Sequence, residues 1–487
     1  MLKQFQRLLS LIRMPVYHKS SRVTAKTYNY HTPNVLCRFQ YYSNKIDDKF
    51  DWDVDPDTEY QEVQEEFVGA IHAMHRIFVI QPFVKWGKKK KRNTNPELQL
   101  AEAVSLIETL PDWSVVGTKC IPVLNLSKIK IFGTGNLDTI KQLIQKSNPT
   151  AVFISTNLLK FGQVIELQKE FNVPVYDRYA IVIHIFRIHA MTPEAKLQVA
   201  IAELPYIRKK MHAFALTPNG DINVDRRKKE IIDRRAKLLE EALDKLEKRR
   251  EHVKSRRMSL EIPSVAVVGY TNAGKTSLIK ALTGDASLRP KNKLFATLDT
   301  TVHAGILPCQ LEILYVDTIG FIQDVPEMLI KPFYVTLQDA FSADVIVHVF
   351  DISHPDAKGQ VDHVFTTLQN LLQEKKSVIH VGNKCDLTIE PSFKTHMPEE
   401  TFLVSAKKSI GTDLLKLKIE EEVLLSTNRK HTRVRVKLGS PEETWLYKRT
   451  TVVNVEPDPQ RTEYNILEVI VTDVMLREFY TFLRTQK

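Results

Sequence analysis

The chain has 487 residues, of which 43% are hydrophobic and 26% charged, with a formal net charge of +11 and a pI of about 9.2. This length allows two to four domains of roughly 100–200 residues, and no apolar run reaches the ~20 residues of a membrane-spanning helix. Four cysteines without a CxxC pair exclude a disulfide framework and a zinc site.

The N-terminal segment, residues 1–45, is basic and free of acidic residues. It holds eight Lys or Arg, and Leu2, Phe5, Leu8, Leu9 and Ile12 recur at helical spacing. This pattern is typical of a mitochondrial transit peptide, which predicts a location in the mitochondrial matrix. The alternatives are a basic tail that binds nucleic acid and a cytoplasmic location.

An α/β domain is predicted over 70–190, after an acidic stretch from Asp47 to Glu66 that we expect to be flexible. Short β-branched runs predict strands, and amphipathic runs between them predict helices. The alternation indicates βαβ units and a parallel sheet. The predicted strands are 76–84, 128–132, 151–155 and 173–177, and the predicted helices are 137–147 and 157–171. A KKKKR run at 88–92 is either a solvated loop or a loop that contacts phosphate.

Two long helices are predicted over 191–258. Ile232, Leu239, Leu246 and Val253 repeat every seven residues, which predicts a helical hairpin that packs like a coiled coil. The break falls at TPNGD (217–221), where an Asn-Gly pair indicates a turn. Because residues 225–257 are rich in Lys and Arg, this arm is either a solvated face or a surface for RNA.

The third predicted domain, 261–428, begins with a strand, a Gly-rich turn and a helix start. The turn matches GxxxxGK[ST], the phosphate-binding loop of P-loop proteins. Lys275 is expected to reach the β- and γ-phosphates, and the Thr276 hydroxyl to bind Mg²⁺. The residues of this loop that we expect to bind nucleotide are Gly269, Tyr270, Thr271, Asn272, Ala273, Gly274, Lys275, Thr276 and Ser277.

A second motif, DTIG, follows a strand and comprises Asp317, Thr318, Ile319 and Gly320. The acid at the strand end can hold Mg²⁺ through a water, and the Gly320 N–H can contact the γ-phosphate. Ras-like sites continue with a Gln that orients the attacking water, but this chain has Phe321. The site has either lost hydrolysis or hydrolyses slowly until a partner accelerates it.

The base is predicted to be read by the motif NKCD, in which Asp386 can accept hydrogen bonds from the N1 and N2 donors that guanine has and adenine lacks. A site built around such donors rejects the analogue that lacks them, which favours GTP over ATP. The residues expected on this side are Asn383, Lys384, Cys385, Asp386, Ser405, Ala406 and Lys407.

The mobile first switch is predicted between the first two motifs, in KLFATLDTTVH. A Thr hydroxyl there would complete the Mg²⁺ shell only while the γ-phosphate is present. Thr297, Thr300 and Thr301 are candidates that spacing does not separate. The expected nucleotide-binding residues of this segment are Phe295, Ala296, Thr297, Leu298 and Asp299. A small α+β appendage is predicted over 433–487.

Taken together, GYTNAGKT, LFATLD, DTIGFI and NKCD resemble the HflX family of ribosome-associated GTPases, over about residues 70–428. With its N-terminal segment, the chain is similar to the mitochondrial branch. The resemblance implies binding to the large ribosomal subunit and its rRNA, subunit dissociation or large-subunit maturation, and hydrolysis stimulated by the ribosome. It also favours Thr297 as the first-switch Mg²⁺ ligand. The Gly-rich, GETQ-like loop that the family carries between the arm helices is absent here.

These observations predict a multidomain α/β GTPase, expected to be monomeric and not inserted in a membrane, with GTP and Mg²⁺ as ligands. Lys275, Thr297 and Gly320 are the predicted catalytic residues, and Thr276 and Thr297 the predicted Mg²⁺ ligands. The alternatives are a GTP-dependent assembly scaffold for the large subunit and a GTP-sensing RNA-binding protein with little or no hydrolysis.

Overall fold

The computed structural model describes residues 57–69, 74–85, 95–215, 222–260, 262–290, 293–295, 297–298, 300–322, 329, 341–371, 376–387 and 397–485. The predicted transit peptide, the KKKKR run and the TPNGD turn lie outside these residues, so those expectations remain predictions. Of the helices that are described, none is both long and apolar enough to cross a lipid bilayer.

The N-terminal part is a four-stranded parallel sheet with helices around it. The sheet has the order β2-β1-β3-β4, so the chain crosses from one side of β1 to the other between β2 and β3. The predicted parallel βαβ pattern is therefore confirmed. Its elements are α1 (Thr58–Val68), β1 (His75–Val84), α2 (Pro96–Thr109), β2 (Trp113–Val123), α3 (Thr134–Ser147), β3 (Ala151–Ile154), α4 (Phe161–Phe171), β4 (Val175–Asp177) and α5 (Arg178–His189).

Two predictions for this part are wrong. KIKIF (128–132) is not a strand, because Ile131 and Phe132 fold back onto the sheet while Ile129 is exposed. The strand that the sequence analysis did not predict is β2, at the edge of the sheet. Its buried and exposed residues do not alternate regularly, so its sequence shows no clear strand pattern. The acidic stretch is also not flexible from residue 58 onward. It forms α1, in which Tyr60, Val63 and Phe67 are buried in the core.

A buried carboxylate, that of Asp177 at the end of β4, joins three segments. It accepts hydrogen bonds from Ala180 N at 2.9 Å, Leu159 N at 3.1 Å and the Tyr206 hydroxyl at 3.0 Å. Asp177 thereby caps α5 and is bonded to the chain ahead of α4 and to the first long helix of the arm. The Tyr206 ring stacks on Tyr179, with ring centroids 4.6 Å apart.

The two long helices of the arm are α6 (Pro193–Ala215) and α7 (Ile222–Leu260), which pack against each other. The heptad positions Ile232, Leu239 and Leu246 are buried, whereas the Val253 side chain lies outside the described part of the chain. Helix α1 covers part of α7 and forms ion pairs with it, including Arg234 with Glu59 at 2.9 Å and Lys228 with Glu66 at 2.7 Å. Part of the arm's positive charge is therefore neutralised within the chain.

The third part is a six-stranded sheet of order β10-β9-β8-β5-β7-β6, parallel except for β6 against β7. In such sheets ligands bind at the carboxyl ends of the parallel strands. Its elements are β5 (Ser264–Gly269), α8 (Lys275–Thr283), β6 (Thr301–Ile306), β7 (Glu312–Asp317), β8 (Val345–Asp351), α9 (Ala357–Leu371), β9 (Ser377–Asn383), β10 (Phe402–Leu403) and α10 (Thr412–Ser426).

The C-terminal part is a three-stranded antiparallel sheet of order β11-β13-β12 with two helices. Its elements are β11 (Lys430–Lys437), α11 (Pro441–Arg449), β12 (Thr451–Pro457), β13 (Tyr464–Val471) and α12 (Asp473–Thr485). The predicted fold class, a multidomain α/β chain, is confirmed, while the domain boundaries drawn from sequence remain predictions.

We predict that Asp177→Ala lowers the free energy of unfolding by about 2–4 kcal/mol. Loss of a helix N-cap costs about 1 kcal/mol, and leaving the buried Tyr206 hydroxyl unpaired costs about 1–3 kcal/mol. The measurement is urea-induced unfolding followed by circular dichroism. The matched control is Asp138→Ala, at an exposed position within α3, where we expect almost no change. Equal stability of the two variants would contradict this account of Asp177.

Candidate nucleotide-binding site

The phosphate-loop residues join the end of β5 to the start of α8, so the loop leads into the N-terminus of a helix. Gly274 has a φ of +92°, and a Cβ there would lie 2.3 Å from Asn383 Nδ2. Asn272 also has a positive φ, +60°. Positive φ values let the loop curl ahead of the helix N-terminus, and backbone N–H groups of such loops bind anions.

Lys275 begins α8, and its side chain lies back along the loop. It is 7% exposed, and Nζ donates hydrogen bonds to the carbonyl oxygens of Tyr270 at 3.0 Å and Gly269 at 3.3 Å. Burial lowers the pKa of Lys275 to about 8, while Asp317 acts in the opposite direction. A phosphate group beside this amine would favour its charged form, because an opposite charge offsets desolvation.

Three oxygen-bearing side chains form a cluster below the loop. The Thr276 hydroxyl donates to Asp317 Oδ2 at 2.6 Å and lies 3.2 Å from the Thr297 hydroxyl, which is 3.4 Å from the same carboxylate oxygen. Asp317 is 1% exposed, and its Oδ1 has no hydrogen-bond partner within the described residues. Burial raises the pKa of Asp317, while Lys275 and the Thr276 hydrogen bond act against this shift.

This cluster fits Mg²⁺, which takes oxygen ligands and is usually held by few protein groups together with substrate phosphates and water. Two hydroxyls from different segments and an unpaired, buried carboxylate oxygen provide such a set of donors. Sequence spacing did not decide which of three threonines binds Mg²⁺. In the structure Thr297 contacts the cluster, whereas the Thr301 hydroxyl bonds His303 Nε2 at 2.9 Å.

The rest of the first switch packs into the core that it shares with the N-terminal part. Phe295 and Leu298 are 4% and 2% exposed. Phe295 has a φ of +53° and also lines the cavity beside the phosphate loop. Ala296 and Asp299 lie outside the described residues, so the structure does not test them.

The DTIG segment crosses directly beside the phosphate loop. A Cβ on Gly320 would lie 2.8 Å from Thr271 Cα and 3.0 Å from Lys275 Nζ, so this position requires glycine. The Thr318 hydroxyl donates to Val267 O at 2.8 Å, and Ile319 is buried. Gly320 therefore lies beside Lys275 Nζ, where its N–H could contact a phosphate group bound by that amine.

Phe321 is held by its backbone. Its N–H donates to Gly269 O at 3.0 Å, and its carbonyl accepts from Thr271 N at 2.7 Å. The ring is 7% exposed and belongs to the apolar core. A buried phenyl ring cannot orient a water molecule, so this position provides no substitute for the Gln of Ras-like sites.

The base side is built on Asn383, which connects two loops. Its Nδ2 donates to Ala273 O at 2.9 Å, and its Oδ1 accepts from Ala406 N at 3.0 Å. Lys384, with a φ of +64°, pairs with Asp351 at 2.7 Å. Asn383 thus holds the phosphate loop against the segment that contains Ser405, Ala406 and Lys407.

Asp386 is bonded to the segment that contains Ser405. The Ser405 hydroxyl donates to its Oδ1 at 2.7 Å, and Lys408 Nζ is 3.7 Å from its Oδ2. The Ser405 hydrogen bond lowers the pKa of Asp386, which keeps the carboxylate charged and able to accept. Cys385 is half-buried, with its N–H bonded to Val404 O at 3.1 Å.

Sequence analysis missed four residues of this site. Pro290 and Lys293 line the cavity with Lys275, Thr276, Thr297 and Ser277, and Asp351 and Lys408 pair with base-side residues. Lys293 is the first residue of the KLFATLDTTVH segment, so its position in the predicted first switch could have identified it as a site residue. Asp351 is the last residue of β8, as Asp317 is the last residue of β7, but no recognisable motif follows it.

Two family models match the chain. Residues 264–384 match a family described as 50S ribosome-binding GTPase, and residues 97–187 match the GTP-binding GTPase N-terminal family. The first match covers the phosphate loop, the DTIG segment and the start of the base side.

Curated relatives match over most of the chain. A Homo sapiens protein named "Putative GTP-binding protein 6" is 39% identical over 79% of this chain and 77% of its own length. Its Xenopus laevis counterpart is 37% identical over 88% of this chain and 83% of its own length. The GTPase HflX of Caldanaerobacter subterraneus is 34% identical over 64% of this chain and 74% of its own length. At these identities and coverages, the chain belongs to the HflX family of GTPases and is a GTP hydrolase.

Proposed function

We propose that this GTPase uses Mg²⁺, binds the large subunit of the mitochondrial ribosome through its rRNA, and couples GTP binding and hydrolysis to subunit dissociation or large-subunit maturation. The observation that carries the nucleotide part of this proposal is that Lys275, Thr276, Thr297 and Gly320 line one cavity, with Asp317 bonded behind Thr276 and Thr297. These groups come from three separate segments of the chain.

In this proposal, the chain's own residues divide the work on GTP. Asp386 accepts hydrogen bonds from guanine, and the loop N–H groups with Lys275 hold the phosphates. Thr276 and Thr297 would hold Mg²⁺ directly and Asp317 would hold it through a water, and the bound ion would supply positive charge beside the phosphates. The Gly320 N–H contacts the γ-phosphate, so the first switch and the DTIG segment hold their positions only in the GTP state.

The buried ring of Phe321 supports slow hydrolysis by the chain alone. A missing water-orienting or charged group is supplied in trans in several GTPases, with rate gains of roughly 10³–10⁵-fold. The ribosome is the proposed source of that group. The buried ring of Phe321 is equally consistent with the alternative function, a GTP-sensing RNA-binding scaffold with little or no hydrolysis.

Two features support the ribosome as the partner. Relatives of residues 264–384 are described as binding the 50S subunit, and α7 carries exposed lysines along its outer face, Lys229, Lys237, Lys245 and Lys248. Phosphates of rRNA are the polyanion that such a face binds. The mitochondrial location rests on the pattern of residues 1–45.

We predict that Thr297→Ala lowers kcat for GTP by on the order of 10²-fold, as removal of one transition-state contact does. Its affinity for GDP should stay within about twofold of wild type, because Thr297 is proposed to bind Mg²⁺ only while the γ-phosphate is present. Single-turnover hydrolysis and GDP titration measure the two quantities. Thr301→Ala is the control, since its hydroxyl bonds His303 instead. A parallel loss in both variants would reject the role of Thr297.

We predict that reversing the charge of Lys229, Lys237, Lys245 and Lys248 to Glu weakens cosedimentation with mitochondrial large subunits. Each lost phosphate contact reduces the slope of log affinity against log salt by about 1. The control reverses four exposed lysines elsewhere, Lys119, Lys146, Lys358 and Lys448. If both sets weaken binding equally, the effect is one of net charge, and the arm is not the rRNA surface.

A further inference from the structure

A hydrogen bond connects the N-terminal part directly to the phosphate loop. The Tyr270 hydroxyl donates to Glu102 Oε2 on α2 at 2.5 Å, across 168 residues of sequence. Tyr270 is 3% exposed and the Glu102 side chain 21%, so this contact is partly buried. The other oxygen of Glu102 pairs with Arg178, the first residue of α5, which is also 3% exposed. A buried guanidinium therefore fixes the carboxylate that receives the Tyr270 hydroxyl.

The backbone of Tyr270 contacts both Lys275 of the phosphate loop and Phe321, which follows the DTIG segment. Its carbonyl oxygen accepts the hydrogen bond from Lys275 Nζ at 3.0 Å. Tyr270 also forms a β-bridge with Phe321, and the next residue, Thr271, donates its N–H to Phe321 O at 2.7 Å. A shift of the Tyr270 side chain would consequently move the acceptor for Lys275 and the residue that follows DTIG.

The first switch is contacted from the same side. The ring of Phe186, on α5, meets that of Phe295 edge to face, with centroids 4.9 Å apart and planes at 89°. Both rings are 4% exposed. Phe295 lies two residues before Thr297, whose hydroxyl belongs to the proposed metal cluster. Helix α5 thus reaches the phosphate loop through Arg178 and Glu102, and the first switch through Phe186.

We propose that Tyr270 is a positioning residue of the GTPase, and that its hydrogen bond to Glu102 couples the nucleotide state to α2 of the N-terminal part. The inference rests on the nucleotide site proposed above. Coupling between two sites is reciprocal in free energy. If α2 holds the phosphate loop in its nucleotide-binding form, nucleotide binding must in turn stabilise the contact of α2 with Tyr270.

The test uses the full chain and the variant Tyr270→Phe, which removes the hydroxyl and keeps the ring. Amide hydrogen exchange of α2 is measured without nucleotide, with GDP and with a non-hydrolysable GTP analogue, and nucleotide affinities are measured beside it. In the wild-type chain, nucleotide should slow exchange in α2. In Tyr270→Phe this response should disappear, and nucleotide affinity should fall about tenfold, as expected for one hydrogen bond to a charged group.

Two further variants sharpen the result. Glu102→Gln removes the charge that accepts from Tyr270 and pairs with Arg178, so it should act in the same direction. The double variant should lose less affinity than the sum of the two single variants, because both weaken the Tyr270–Glu102 contact. Tyr480→Phe, at an exposed tyrosine on α12, should leave affinity and α2 exchange unchanged.

The coupling is overturned if α2 of Tyr270→Phe responds to nucleotide as the wild-type chain does and nucleotide affinity is unchanged. A lower melting temperature with unchanged nucleotide response would likewise overturn it, since the hydrogen bond would then be only structural. If the wild-type chain binds neither GDP nor the analogue, the nucleotide site itself fails, which is a different outcome from loss of coupling alone.

Discussion

The burial of the Asp317 carboxylate is the constraint on which the rest of the site depends. Asp317 is 1% exposed, and one of its oxygens has no hydrogen-bond partner among the residues that the structure describes. A buried acid of this kind is unfavourable unless a cation or strong donors approach it. Lys275 and Thr276, at the start of α8, and Thr297, in the first switch, all interact with this carboxylate. In the proposed function, a phosphate group and Mg²⁺ would supply the partners that this buried carboxylate calls for.

The phosphate loop and base-side motifs could be predicted from sequence because each is local. A strand, a turn with glycines at fixed spacing and a helix start determine where Lys275 and Thr276 point. The choice of Thr297 over Thr301 could not be derived from spacing, because it depends on a contact with Asp317 twenty residues further along. Only the family resemblance favoured it beforehand.

Long-range packing also explains what sequence patterns missed. The apolar residues of 128–132 suggested a strand, yet their burial comes from folding back onto the sheet, which local periodicity does not distinguish. The acidic sequence of α1 led us to expect a flexible segment. Its glutamates instead form ion pairs with α7, which is more than 150 residues away in the sequence. The contact of Tyr270 with Glu102 likewise joins positions that no motif relates.

We propose that the catalytic site of this GTPase lacks a group that orients the attacking water, and that the ribosome supplies this group. The most direct measurement is multiple-turnover GTP hydrolysis by the full chain, alone and with purified mitochondrial large subunits. The account predicts a slow rate alone and strong stimulation by the subunits, which Thr297→Ala should abolish. An equally low rate with and without the subunits would contradict it and favour a GTP-sensing scaffold.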